Sequence, residues 1–81
     1  MFYDDPAKHN LKHNPFKALV SPRPIAWVST VDLDGVNNLA PFSFFNAISE
    51  RPQMVFFAPN GPRPSGGQKD TLLNIEKTNE F

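Results

Sequence analysis

Nine prolines punctuate the 81 residues, at positions 6, 15, 22, 24, 41, 52, 59, 62 and 64. More than any other feature, they limit what the chain can become. Each removes a backbone donor and biases its predecessor away from helix. Residues 1–24 carry four of them in a polar context and read as an arm lying on a body formed by residues 25–81. Within the arm, Phe16, Leu19 and Val20 share a face at helical spacing, which predicts one short turn over Phe16 to Val20.

Between Pro24 and Pro41 the character changes. Ile25, Trp27, Ser29 and Val31 alternate with Ala26, Val28 and Thr30, and β-branched and aromatic residues dominate, so Ile25 to Asp32 is a predicted strand. Asp34-Gly35 predicts a two-residue hairpin turn with Val36 to Ala40 returning, and Pro41 is expected to limit that pairing. Phe42 to Ser49 is expected to continue extended, and Arg51-Pro52 to turn the chain into Met54 to Ala58. That unbroken apolar run calls for burial on both faces. Pro59 to Gln68 holds three of the four glycines and three of the nine prolines, and reads as loop. Beyond it Asp70 is expected to cap a helix from Thr71 to Lys77, with Leu72 and Ile75 inward, Lys77 at the negative end of the dipole, and Asn79 ending it in the left-handed conformation.

Eighty-one residues bound a single small domain, and eight acids balance eight bases, so no bulk attraction to nucleic acid or anionic membrane follows. With no cysteine there is neither a disulfide framework nor a thiolate metal site. The start lacks the basic flank and apolar stretch of a signal peptide, and no run approaches a membrane span, so a cytoplasmic protein without membrane partners is expected.

Several chemical patterns fail on count or spacing. His9 and His13 stand four apart, but metal sites need three or four ligands and no others accompany them, so no metal is expected. Gly61 and Gly66 match the first half of a phosphate loop, yet Gly67 stands where lysine is required. No serine or threonine has a paired base, so no catalytic nucleophile is assigned. The aromatics have no accompanying basic excess for stacking nucleic acid. Lys69 and Thr71 flank the start of a helix whose free N–H groups could bind an anion. On the plainer reading Asp70 caps that helix and Lys69 is solvated, and the residues alone leave both open.

One stretch, Asn37 to Ser49, combines apolar residues with Asn38, Ser43, Asn46 and Ser49. Its small residues Ala40 and Ala47 leave room for a flat ligand with polar edges. With Ser21 to Thr30 (Ser-Pro-Arg-Pro-Ile-Ala-Trp-Val-Ser-Thr), Asp34-Gly35, Asn38 to Ser49 (Asn-Leu-Ala-Pro-Phe-Ser-Phe-Phe-Asn-Ala-Ile-Ser) and Lys69 to Ile75 (Lys-Asp-Thr-Leu-Leu-Asn-Ile), the chain resembles the flavin reductase-like, FMN-binding split-barrel family.

That resemblance implies a mainly β fold, part of an FMN-binding split β-barrel with a short helix near the C-terminal end. It also implies a noncovalent FMN site, with FAD as the alternative, reduction by NAD(P)H or a redox partner, and a homodimer. On the same basis Asn46, Ala47, Ile48 and Ser49 lead as flavin contacts, with Ser43 and Phe44 beside them and Thr30 on the neighbouring strand. Lys69 and Thr71 are assigned to the phosphate end. Members of the family continue past the equivalent of Asn79-Glu80-Phe81 into further strands, so the chain is expected to be the amino-terminal half of such a domain. The expected activity, for the full-length parent, is that of an FMN-dependent oxidoreductase. The rivals are a non-catalytic electron-carrier module and an inactive truncated fragment.

Overall fold

The computed structural model describes residues 4, 5 and 7–81. Residues 1–3 and Pro6, which belong to the expected arm, lie outside the described residues. The order of elements is α1 (Phe16–Leu19), β1 (Ala26–Val31), β2 (Asn37–Phe42), β3 (Phe45–Glu50), β4 (Gln53–Phe57) and α2 (Asp70–Thr78). The strands form two separate antiparallel hairpins, β1–β2 and β3–β4. The molecule is flat and open: its radius of gyration is 16.0 Å and its extents are 49 × 38 × 18 Å, against roughly 12 Å expected for a compact chain of this length.

In the first hairpin the expected alternation becomes a two-faced sheet. Val28, Thr30 and Phe42 are buried under α2, while Trp27, Ser29, Leu39 and Pro41 face outward. The turn differs from the two-residue form. The Gly35 N–H donates to the Asp32 carbonyl, and the Asp32 carboxylate accepts the N–H groups of Asp34 and Val36 at 2.8 and 2.9 Å. With Asp32 anchoring the turn, Gly35 alone in it takes a positive φ, 81°, where a two-residue type I′ turn would need two such residues. Pro41 lies inside β2 and limits nothing. The Asp32 N–H bond to the Val36 carbonyl sets the phase of the ladder, which puts the Trp27–Pro41 pair at a non-hydrogen-bonded position where no N–H is required.

Extended structure does not run unbroken from Phe42 to Ser49. It bends at Ser43–Phe44, and β3 begins afresh at Phe45. β3 pairs with β4 in register from Phe45–Phe57 to Ala47–Val55 and then shifts, leaving Ile48 as the extra residue of a bulge. Arg51-Pro52 forms the turn, through a cis bond like that at Ser21-Pro22. The burial expected for Met54 to Ala58 is not found: Met54, Val55 and Phe56 are 45–49% exposed. No described element packs a second layer against this hairpin, and its apolar side chains therefore meet water.

α2 begins at Asp70, with Lys69 in the N-cap position and no side-chain cap. Asp70 is therefore a first-turn acid, where its charge complements the helix dipole, and its carboxylate pairs with Arg63 at 3.2 Å. The innermost face of α2 is polar. Thr71 and Asn74 are buried, whereas Leu72 and Ile75, expected inward, are only half-buried. The Asn74 amide donates to the Thr30 hydroxyl at 3.0 Å, and the Asn38 amide donates to the Thr71 hydroxyl at 2.9 Å. Asn79 closes the helix at φ 60°, its N–H bonded to the Ile75 carbonyl at 2.7 Å. Phe81 then packs edge-on against Phe57, which in turn meets Phe42 at 4.9 Å between centroids.

Candidate functional site

The bend at Ser43–Phe44 joins the two hairpins, and the Ala58 N–H fixes it by donating to the Phe44 carbonyl at 2.8 Å. Phe44 consequently projects from a junction held at both ends. Phe16 meets its ring edge-on at 6.4 Å, and the Arg23 guanidinium lies 5.2 Å from its centroid. Such a cation over an aromatic face is attracted by the ring quadrupole.

Three concavities share Phe44 as a wall. The first, about 340 Å³, is mostly apolar. Its sides come from the arm (Phe16, Val20, Pro22, Arg23, Pro24), from Ser43 to Asn46, and from Phe56 and Ala58. The second, about 140 Å³ and polar, adjoins it through Ser43, Phe44 and Ala58, and is completed by Lys17, Pro41, Phe42, Asn60 and Lys69. The third, about 570 Å³, lies between Asn14, Phe16, Lys17, Phe44 and Asn60. Lys17, Arg23 and Lys69 line these spaces and no carboxylate does, so a chain with no net charge concentrates positive charge here.

Arg23 is the most constrained of the three cations. Its Nη1 donates to the carbonyls of Lys17 and Val20 at 2.6 and 2.5 Å, and its Nε is buried without a partner. The α1 turn is too short to persist by itself, and Arg23 ties it to the cavity wall. Lys69 Nζ sits 5.6 Å from the Phe42 centroid.

The sequence-derived site residues fall into three groups. Ser43, Phe44, Asn46 and Lys69 come together around the two adjoining cavities. Ala47, Ile48 and Ser49 lie farther along β3, at the bulge, and line none of the three spaces. Thr30 and Thr71 are buried between the first hairpin and α2, where each hydroxyl already accepts a side-chain amide. Sequence reasoning did not assign Phe16, Lys17, Arg23 or Asn60 to the site. One signal for Arg23 was available: an arginine enclosed by Pro22 and Pro24, with its backbone restricted on both sides. Among the described residues no group of three or more metal-ligating side chains occurs, and no helix is long and apolar enough to cross a membrane.

Comparison with solved structures finds the same fold in nitrilotriacetate monooxygenase component B from Bacillus cereus. The TM-score is 0.70 and the identity 32%, over 94% of this chain and 38% of that one. The architecture is thus mainly strands with a short C-terminal helix, part of a split β-barrel. Among curated proteins, an uncharacterized protein of Aquifex aeolicus is 46% identical over 63 residues, covering 78% of this chain and 32% of its own length. YwrF of Bacillus subtilis, also uncharacterized, is 45% identical over 62 residues, covering 76% of this chain and 29% of its own length. An uncharacterized protein of Deinococcus radiodurans is 47% identical over 68 residues, 79% of this chain and 30% of its own length. No family model matches. The chain spans about a third of the length of these curated relatives.

Proposed function

We propose that this chain is part of a flavin reductase-like domain, residues 25–81 with residues 1–24 as its arm, and that it holds FMN for oxidoreductase chemistry. The observation that carries this reading is the likeness to a monooxygenase component over 94% of the chain. The cavities support it. An apolar, aromatic-walled space beside a small cationic one suits a flat ring bearing an anionic tail. At about 340 Å³ the apolar space falls within the range of ligand pockets and suits one ring system.

FMN, when bound, supplies hydride acceptance and electron transfer. The chain's own residues bind, orient and exclude water. Phe16, Phe44 and Phe56 cover ring faces, while Ser43 and Asn46 offer polar atoms to its edge. Ala47, Ile48 and Ser49, at the bulge and outside the cavity walls, are assigned to the flavin by the family resemblance alone. Lys69 supplies charge to the phosphate, and Thr71 and Thr30 stiffen the wall from beneath through their bonds to Asn38 and Asn74. NAD(P)H is the electron donor in this reading, and the working assembly is a cytoplasmic homodimer.

Titrating FMN with the chain while following flavin fluorescence tests it. Saturable quenching is expected, weakened at least about tenfold by Asn46→Trp, a loss of roughly 1.4 kcal/mol. No quenching at high micromolar protein would sink the proposal. NAD(P)H oxidation by the loaded chain then separates a reductase from an electron carrier.

A further inference from the structure

We infer that Lys17, on the arm, joins Lys69 in a two-cation clamp for a phosphate monoester whose ring occupies the apolar cavity; this rests on the flavin reading above. Lys17 and Lys69 both line the small polar cavity, which shares Ser43 and Phe44 with the apolar one, so ring and phosphate are served by contiguous walls. Two further facts make the pair available for an anion. Asp70, the acid next to Lys69 in sequence, is already paired with Arg63 at 3.2 Å, and no carboxylate lines the cavity. Moreover, Arg23 Nη1 holds the Lys17 carbonyl at 2.6 Å, so the residue bearing the first ammonium is fixed to the cavity wall although α1 is a single turn. The arm is then part of the ligand site, and the phosphate is bridged between chain segments 52 residues apart (69 minus 17).

Riboflavin, which has the ring without the phosphate, provides the control. Flavin-fluorescence titrations with FMN and with riboflavin would be run on the 81-residue chain, on Lys17→Ala, and on Lys69→Met, which keeps an aliphatic stem over Phe42. A hydrogen bond to a charged group is worth about 1.5–3 kcal/mol, or roughly tenfold or more in affinity. FMN should therefore bind on the order of a hundredfold tighter than riboflavin. Each substitution should remove roughly tenfold of that preference while leaving riboflavin affinity unchanged. Lys17→Arg should retain the preference, and salt near 1 M, where the screening length is roughly 3 Å, should shrink it. If Lys17→Ala leaves the FMN-to-riboflavin ratio intact, or weakens both ligands equally, the clamp is wrong while the flavin reading stands. If the unaltered chain binds neither flavin, both fall.

Discussion

The two hairpins are built from equally apolar sequence and end in opposite circumstances. In β1–β2 the alternation of side chains lets α2 cover one face, so Val28 and Phe42 are each 5% exposed and the outer face is left to solvent. In β3–β4 the run from Met54 to Phe57 is apolar on both faces; only Phe57, against Phe42 and Phe81, is half-buried, and Met54, Val55 and Phe56 stand nearly half exposed. Apolar content alone therefore does not decide burial in this chain. What decides it is whether a second layer exists, and the first hairpin owns the only one described.

The largest effect expected from disturbing that contrast comes from Phe42→Ala. This buried ring touches Phe57 and underlies Lys69, linking the covered hairpin to the uncovered one. Its truncation should cost about 3–5 kcal/mol, a large part of a small domain's stability, read by urea denaturation followed through Trp27 fluorescence. Asn74→Ala is expected to cost about 1–3 kcal/mol, because it removes the donor to Thr30 under α2 and leaves buried polar surface behind. Gly35→Ala should destabilise by about 1 kcal/mol, since Gly35 holds φ 81° in the first turn with open space around it, so the penalty is purely conformational. Val55→Thr on the uncovered hairpin should stay within about 0.5 kcal/mol. A cost there as large as that of Asn74→Ala would mean that β4 is covered in solution. Hydrogen exchange sharpens the same comparison, with amides of β3–β4 expected to exchange before those of β1–β2.

Local signals made much of this legible in the sequence. Alternation located β1, Arg51-Pro52 located the second turn, and Asn79 marked the helix end. The polar interior was not legible, because Thr30 meets Asn74 across 44 residues and Asn38 meets Thr71 across 33, and no local pattern encodes such a meeting. Helical spacing pointed to Leu72 and Ile75 as the inward face, and pairing with the sheet's polar groups overrode it. The bulge at Ile48 escaped for a related reason: in a stretch without strict alternation, one extra residue breaks no visible period. For the site, Ser43, Asn46 and Lys69 stood out from the residues and were given flavin roles by resemblance, and Phe44 came from resemblance alone. Lys17 and Arg23 emerged only when folding laid the arm against the Phe44 junction.

The paired bonds beneath α2 also act on alignment. Thr30 and Asn38 sit directly opposite one another on the strands and each bonds a different side chain of the helix. Sliding β2 by one residue would turn Asn38 to the other face of the sheet and strand the buried Thr71 hydroxyl, at a cost of about 1–3 kcal/mol. The helix thus works as a proofreader of strand registration, accepting the one alignment that also brings Pro41, Phe42 and Ser43 to the edge of the polar cavity.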